Sequence, residues 1–348
     1  MADPVDDWMD DLLAGDLPAP DHAAREAVAA RAAQVLRPAG ALRRLDEVAV
    51  WLAGWQRTAR PRVERPRAVV FVADHGVAGQ GVSAYPASVT VEMLRALREG
   101  AATAAVLARG AGATLAVVDV GTGRPTADLA VAAALSRERF GQCWEAGRVA
   151  VADDATGADL LVLGEMGIAN TTAAAAVAAV LHGGPTGDWV GRGTGLDDEG
   201  LARKTAVVDR ARERLAGLAP TGVLHPLEVL RQVGGCELVA MASAAFEARR
   251  RSVPVLLDGY VVSAALAVLA AARPGALDHC LAGHVSPEPG HRRLLDHLGL
   301  IPLLDLGLRL GEASGALLAA PLVRLAAMAV TEVATFAEWG LGRAGSPS

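Results

Sequence analysis

Short apolar runs alternate with longer alanine-rich stretches along most of the chain. The short runs are rich in Val and Leu and end in a polar residue or glycine; they are AVVFVAD (68–74), TLAVVDVG (114–121), DLLVLGE (159–165) and VPVLLDG (253–259), with HCLAGH (279–284) as a candidate fifth. Strands that are apolar along their whole length are buried on both faces, as in parallel sheets. The pattern therefore predicts a parallel sheet covered by helices on each face.

The stretches between these runs have the spacing of helices. They span residues 90–109, 171–182, 197–215, 235–250 and 261–272, and an earlier helical stretch spans 22–57. Alternating strands and helices predict βαβ units, and hence an α/β fold with a doubly wound sheet. Between the first helical stretch and the first strand, ARPRVERPR (59–67) is a connector rich in proline and arginine.

The composition narrows the class of protein. The chain has 348 residues, of which 52% are hydrophobic and 3% aromatic, so it can bury a large core built from Ala, Val and Leu. The formal net charge of −6 argues against a nucleic-acid partner, which requires a basic face. Three widely spaced cysteines without a CxxC pair argue against a disulfide framework and favour the reducing cytoplasm.

The termini and apolar runs predict neither a signal peptide nor a membrane span. No basic region precedes an apolar run near the acidic N-terminus. The apolar runs are broken by glycine, proline or charge before they reach the length of a span, and the cleanest, 259–272, is too short.

Polar residues follow each predicted strand: Asp74-His75-Gly76, Asp119, Glu165, Asp258-Gly259 and His284. In open α/β sheets, ligands bind at the carboxyl ends of the strands. These residues are therefore candidates for a ring around one crevice. The alternative is that some of them only cap helices or close turns.

Two segments are candidates for binding an anion. In GEMGIANTT (164–172), the residues after the strand precede a helix whose free N–H groups suit a phosphate, although plain helix capping is the simpler interpretation. In GRGTGLDDEGLARK (191–204), the glycines allow close approach of the backbone, but the segment is neither GxGxxG nor a Walker A motif. Lys204 lies on the helix that follows and is a candidate for contacting an anion or a carboxylate, although a solvated lysine is the commoner interpretation.

The loop AGHVSPEPGHRR (282–293) contains two histidines, a serine and a glutamate, which makes it a candidate binding loop. A metal site formed by these histidines with Asp74 and His75 is an alternative, but there is no HxxxH pair or cysteine cluster to support it. A Ser–His–Asp hydrolase is disfavoured because no GxSxG elbow occurs.

Glu312 stands among glycines and apolar residues in LRLGEASGA (308–316), just ahead of a helical run. Apolar surroundings raise the pKa of a carboxylate, so that it can act as a base near neutral pH. The alternative is a glutamate placed at a helix N-terminus by the helix dipole. The pattern alone leaves both interpretations open.

Seven segments together resemble one family, nicotinate-nucleotide–dimethylbenzimidazole phosphoribosyltransferase, over about residues 34–341. They are VADHGVAGQGVSAYPASVT, LGEMGIANTTAAAA, GRGTGLDDEGLARK, HPLEVLRQVGGCEL, PVLLDGYVVSAAL, AGHVSPEPGHRRLLDHLGL and LDLGLRLGEASGALLA. The resemblance implies transfer of the 5-phosphoribosyl group from nicotinate mononucleotide to 5,6-dimethylbenzimidazole, which gives α-ribazole 5′-phosphate and nicotinate. This reaction belongs to the assembly of the cobalamin nucleotide loop and implies no cofactor and no metal.

The same resemblance implies a Rossmann-like parallel sheet flanked by helices, with a smaller helical domain built from N- and C-terminal segments, and a homodimer. Residues 1–20 are expected to be a flexible acidic leader. Residues 21–60 and about 320–348 are expected to contribute to the small helical domain, and 61–320 to form the large α/β catalytic domain.

The resemblance also implies roles for individual residues. Glu312 matches the catalytic glutamate, and Glu165 and Lys204 match residues that attend the ribose end of the nucleotide. The remaining expected substrate-binding residues are Gly167, Gly193, Thr194, Gly195 and Ser286 around the phosphate, Ala84, Tyr85 and Glu92 in the segment that lines the base pocket, and Asn170, Thr171 and Gly311 beside them.

Three features depart from the family's pattern. Ala313 stands where the family usually has glycine after the catalytic glutamate, so a positive φ there would strain the backbone. PAGALRR (38–44) replaces P-x-G-S-L-G, which bears on the dimer or pocket contacts of that arm. Glu92 replaces a glutamine common in the VTxQM run, which bears on the preferred acceptor base.

Three other functions remain to be compared with this one. A Rossmann-type oxidoreductase needs GxGxxG after the first strand, and VADHGVAGQG does not supply it. A non-catalytic nucleotide-binding or sensor protein of the same fold has no need of Glu312. A sister transferase would use a different benzimidazole, a purine or a phenol as acceptor.

Overall fold

The computed structural model describes residues 7–153, 157–219 and 222–341. Five parallel strands form one sheet in the order β2-β1-β3-β4-β5. They are β1 (Pro66–Ala73), β2 (Thr114–Gly121), β3 (Leu160–Met166), β4 (Val255–Leu257) and β5 (Cys280–Ala282). The predicted parallel α/β sheet is confirmed, including the candidate fifth strand, and its strand order reverses between β1 and β3.

The helices are α1 (Asp7–Leu12), α2 (His22–Ala32), α3 (Arg43–Gln56), α4 (Val89–Arg98), α5 (Thr103–Ala111), α6 (Arg137–Ala152), α7 (Asn170–His182), α8 (Asp198–Leu218), α9 (Pro226–Val233), α10 (Cys236–Arg250), α11 (Tyr260–Ala272), α12 (Pro289–Leu298) and α13 (Ser314–Thr331). Two predicted stretches, 22–57 and 90–109, are each divided into two helices. The second division falls at Gly100, whose φ of +79° ends α4.

The sheet is buried on both faces, as the apolar strands predict. On β1, Val69 and Phe71 face one helical layer that includes α6, α7, α10 and α11. Val70 and Val72 face the opposite layer, which includes α4, α5 and α13. Since side chains alternate along a strand, one apolar run supplies both cores.

Helices from both ends of the chain pack together on one side of the sheet. Val28 of α2, Ala49 and Ala53 of α3 and Val330 of α13 form a small buried cluster. This packing accords with the expected helical unit of terminal segments, but the domain boundaries at 20, 60 and 320 stay a prediction. The parts of those segments at 1–6 and 342–348 lie outside the described residues.

Within the described ranges, α13 is the helix that is long and apolar enough by composition to cross a membrane. The sequence pattern predicted a helical run here but did not count it as an apolar run of span length, because Pro321 and Arg324 interrupt it. About half of its residues are buried inside the protein, where the helix packs on α3 and α5. These are the contacts of a core helix.

Candidate active site

A cavity of about 400 Å³ opens at the carboxyl ends of the strands, beside the reversal of strand order where open sheets bind ligands. Its walls come from the end of β3, the starts of α7 and α11, and the loops that precede α8, α12 and α13. The carboxylates of Glu165, Glu288 and Glu312 line it, as do the apolar side chains of Val89 and Met93. The cavity therefore combines acidic groups with an apolar wall that suits a flat ring.

The turn before α13, residues 311–313, places Glu312 in this cavity by an unusual backbone path. The φ angles are +59° at Glu312 and +66° at Ala313, and such left-handed conformations cost a residue with a Cβ about 1–2 kcal/mol. The Glu312 N–H donates to the carbonyl of Glu165 at 3.0 Å. Asp258 stabilises the helix start by accepting two N–H groups of α13, at 2.8 and 3.0 Å.

The Glu312 side chain is buried, with one oxygen held and the other free. The backbone of Ala104, in the first turn of α5, hydrogen-bonds the carboxylate. Among the described residues, Oε2 has no hydrogen-bond partner although it is buried. Burial raises the pKa of Glu312, the Ala104 hydrogen bond lowers it, and the charge of Asp258 raises it again, so that the net shift is upward. A buried carboxylate with a free oxygen and a raised pKa is suited to accept a proton.

Glu165 lies beside Glu312 but is held more tightly. The amide of Asn170 donates to Oε2 of Glu165. Burial raises the pKa of Glu165 well above its ordinary value, and the charges of Glu237 and Asp258 raise it further. Glu165 is therefore a positioned group whose proton is retained to higher pH.

Lys204 lies directly behind the glycine-rich loop. Its Nζ donates to Thr171 Oγ1 at 2.8 Å and to the carbonyl of Gly191 at 3.0 Å. The side chain is 1% exposed, and burial lowers its pKa to about 8 while the charge of Glu288 opposes that shift. The ammonium therefore sits under a wall of the cavity formed by Thr171 and Gly193, where it favours an anion.

The glycine-rich loop is tied to two other walls of the cavity. The N–H of Gly193 donates to Glu288 Oε1 at 2.9 Å, and Glu288 Oε2 has no partner among the described residues. On the other side, the N–H of Ala84 donates to Thr194 Oγ1 at 3.0 Å. The loop is thus fixed by side-chain contacts from segments distant in the sequence.

Two histidines support the wall formed by the loop after β5. His291 accepts the N–H of Ser286 at 2.8 Å on Nδ1, and its Nε2 lies 3.2 Å from Ser263 Oγ. Burial lowers the pKa of His291 to about 3, with further lowering by His284. His284 lines the cavity, and its Nε2 lies 3.4 Å from Asp258 Oδ1. His291 is therefore a neutral support for Ser286.

The chain is similar to a family of known enzymes along nearly its whole length. Residues 17–341 match the sequence profile of the family described as Phosphoribosyltransferase. A Ruegeria pomeroyi protein named nicotinate-nucleotide–dimethylbenzimidazole phosphoribosyltransferase is 50% identical over 95% of this chain and 96% of its own. A Cereibacter sphaeroides protein of the same name is 48% identical over 93% of this chain and 94% of its own. The chain belongs to the nicotinate-nucleotide–dimethylbenzimidazole phosphoribosyltransferase family.

A solved structure of the family has the same fold. The crystal structure of CobT from Thermus thermophilus matches with a TM-score of 0.87 and 43% identity, over 92% of this chain and 99% of that one. The family resemblance that the sequence motifs carried is thereby confirmed.

Most of the expected site residues of the phosphoribosyltransferase family converge on the cavity. Those that line it are Tyr85, Glu165, Gly167, Asn170, Thr171, Gly193, Thr194, Ser286, Gly311 and Glu312. Lys204, Ala84 and Gly195 do not line it; the first two reach it through their hydrogen bonds to Thr171 and Thr194. Their roles toward a substrate stay predictions.

Glu92 is placed outside the cavity, contrary to its expected position near the base. It lies on α4, where Val89 and Met93 line the cavity and Glu92 is turned toward solvent. Its carboxylate lies 3.5 Å from Arg95 Nη1. Glu92 directly precedes Met93, and successive side chains on an α-helix point about 100° apart, so the Glu92 side chain projects away from the cavity that Met93 lines.

Several of the polar strand ends do not reach the crevice. Asp74 accepts the N–H of Gly123 at 2.7 Å, and Asp119 accepts the N–H of Thr122 at 2.8 Å, so both close turns. His75 Nε2 lies 2.5 Å from Glu237, and both side chains are fully buried. His75 is thus engaged by Glu237, and among the described residues no three His, Cys, Asp or Glu side chains are grouped as the alternative metal site would require.

The sequence pattern missed other residues of the cavity wall. Met93 and Val89 are on an amphipathic helix, where apolar spacing indicates only a buried face. Tyr260 begins α11 and donates to the carbonyl of Trp189 at 2.8 Å. Arg309 is exposed and lines the cavity. Its position three residues before Glu312 was the feature of the sequence that could have indicated it.

Proposed function

We propose that this chain transfers the 5-phosphoribosyl group of nicotinate mononucleotide to 5,6-dimethylbenzimidazole, with Glu312 as the general base. The observation that carries the proposal is the buried Glu312 carboxylate, whose Oε2 has no partner among the described residues and lies in a cavity with an apolar wall. The named activity of the relatives agrees with this chemistry.

The reaction needs little chemistry from the protein. The pyridine nitrogen of nicotinate mononucleotide is positively charged, so nicotinate leaves C1′ as a neutral ring nitrogen without protonation. The acceptor attacks C1′ with one ring nitrogen while its other nitrogen loses a proton. A single carboxylate at that second N–H suffices, and we assign this step to Glu312. Attack from the opposite face inverts C1′ and gives the α-product.

The two ends of the cavity suit the two ends of the substrates. Lys204 lies behind Thr171 and Gly193, where its buried ammonium favours a phosphate. Val89 and Met93 provide an apolar wall for the flat rings. Holding the acceptor and the ribose in one geometry supplies most of the remaining acceleration.

We also propose that the enzyme acts as a cytoplasmic homodimer. Leu318, Leu325 and Met328 of α13 are exposed in the single chain at spacings that place them on one helix face, and a contiguous exposed apolar patch marks an interaction site. The three buried, unbridged cysteines suit a reducing compartment. Light scattering during size-exclusion chromatography tests the dimer: a mass of one chain contradicts it.

Product analysis tests the proposed reaction. Purified protein is incubated with nicotinate mononucleotide and 5,6-dimethylbenzimidazole, and the nucleotide product is separated by chromatography. We expect α-ribazole 5′-phosphate, with the α-configuration established by NMR. Absence of product, or a β-configured product, contradicts the proposal. A parallel panel of benzimidazoles, purines and phenols identifies the preferred acceptor.

A further inference from the structure

A second cavity, of about 630 Å³, lies at the amino ends of the strands, on the edge of the sheet opposite the active site. Arg65, Asp159 and Pro254, which directly precede β1, β3 and β4, line it. β1 and β3 span seven to eight residues, so roughly 20–25 Å separates the two edges at about 3.3 Å per residue. We call this second cavity the arginine cleft.

The arginine cleft concentrates positive charge in an acidic protein. Five arginines line it, namely Arg57, Arg60, Arg62, Arg65 and Arg251, against one acidic residue, Asp159. The carboxylate of Asp159 is already occupied, since it accepts the N–H of Glu64 at 2.7 Å and that of Arg65 at 3.0 Å. The chain as a whole has a net charge of −6, so this basic cluster is not a property of the general surface.

The guanidinium groups are incompletely satisfied by the protein. Arg62 and Arg251 have ion-pair partners in Glu64 and Glu247, and Arg57 donates to a backbone carbonyl. In the part of the chain that the structure describes, the guanidinium groups of Arg60 and Arg65 make no hydrogen bond or ion pair. Several like charges held together without counter-charges favour an anionic ligand.

The backbone of the arginine cleft is preorganised. The side-chain amide of Gln56 donates to the carbonyl of Arg62 at 2.7 Å and accepts its N–H at 3.0 Å. Arg57 and Ser252 follow the ends of α3 and α10 in the left-handed conformation common at helix C-termini, with φ angles of +54° and +58°. Two helix ends therefore fix the path of the backbone that lines the cleft.

We propose that the arginine cleft binds a small polyanion that carries two or more phosphate groups and has the size of a nucleotide. The planar guanidinium fork matches phosphate oxygens in bidentate pairs, and the cleft has the volume of a small-molecule site. The connector 59–67, which takes no part in the active-site cavity, supplies three of the five arginines. Its distance from that cavity makes it a separate site.

Isothermal titration with tripolyphosphate at low ionic strength tests the site on the full-length protein. We expect a binding event that weakens with salt and that loses roughly tenfold in affinity in the double variant R60S/R65S, as two lost charge-assisted contacts imply. The matched control is R98S/R137S, which removes two exposed arginines outside both cavities and should leave affinity within about twofold. Both double variants are expected to retain phosphate binding at the active site.

Three outcomes overturn the proposal: no tripolyphosphate binding by the wild type, equal weakening in both double variants, or binding to anionic vesicles through Arg60 and Arg65 without binding of tripolyphosphate. If R60S/R65S fails to fold by circular dichroism, R60K/R65K replaces it. That variant keeps the charge but loses the fork, and affinity is then expected to fall by about threefold; unchanged affinity contradicts the site. Product formation from nicotinate mononucleotide, measured in the same variants, should be unchanged and tests the proposed reaction separately.

Discussion

Two helices begin at the active-site cavity in nearly the same way, yet they present two carboxylates in different states. α7 begins after Ala169 and α13 after Ala313, two alanines with φ angles of +75° and +66° at the N-cap position. Beside α7, Glu165 is held by Asn170. Beside α13, one buried oxygen of Glu312 has no partner within the described ranges. The same backbone conformation at two helix starts therefore presents one carboxylate that is held by a donor and one that is available to accept a proton. The difference comes from the hydrogen-bond donors beside each carboxylate.

We expect the largest loss of stability and activity from a substitution at Gly164, where the strand that carries Glu165 packs against the turn before α13. A Cβ at Gly164, the residue before Glu165, would lie 2.2 Å from the backbone nitrogen of Ala313. Gly164→Ala should therefore displace the α13 turn, lower the free energy of unfolding by about 3 kcal/mol or more, and abolish most activity. Denaturant unfolding and product formation measure both. Gly141→Ala, where the added Cβ meets open space, is the control and should be neutral or slightly stabilising.

Removing the donor that distinguishes Glu165 should have the next largest effect. Asn170→Ala leaves the buried Glu165 carboxylate without its side-chain donor, which costs about 2 kcal/mol in the free energy of unfolding. The double variant with Glu165→Gln should recover much of this loss, because the unsatisfied charge is then gone. Denaturant unfolding of the two single variants and the double variant measures the coupling. Strict additivity would contradict the assigned contact.

The raised pKa of Glu165 predicts a pH-dependent gain in stability when the charge is removed. Because the folded state binds this proton more tightly than the unfolded state, wild-type stability falls as pH rises above the ordinary glutamate range. Glu165→Gln should therefore be about 1 kcal/mol more stable at pH 8, or roughly 2 °C in Tm, with the gain vanishing near pH 4. Exposed Glu26→Gln is the control, and an equal gain there would refute this account.

Glycine at the two strained helix starts should give the smallest change. Ala313→Gly and Ala169→Gly should each raise the free energy of unfolding by roughly 0.5–1 kcal/mol, because relief of the positive φ outweighs the extra freedom of glycine in the unfolded chain. Ala146→Gly, inside α6, should instead lose about 0.5–1 kcal/mol. Thermal unfolding compares the three. A loss at position 313 would show that Ala313 is not strained there.

The sequence was sufficient for the sheet but not for the site's details. Apolar runs such as 68–74 predict strands because burial on both faces leaves a continuous pattern. Asp119 and Glu165 both stand near the polar end of such a run, so the sequence does not distinguish them. The structure shows that Asp119 closes a turn while Glu165 enters the cavity. Glu92 was misplaced because a sequence match does not state which helix face looks inward. The strain expected at Ala313 was confirmed, because a glycine-specific position implies its backbone angle.

The central claim is that the free oxygen of Glu312 accepts the acceptor's proton, and the kinetics of Glu312→Gln test it most directly. The variant keeps the size and hydrogen-bonding shape of the side chain but cannot serve as the base. With both substrates saturating, the account predicts that kcat falls by about 10²–10⁴ while KM for nicotinate mononucleotide changes little. A kcat within about threefold of the wild type would contradict the assignment of Glu312 as the base.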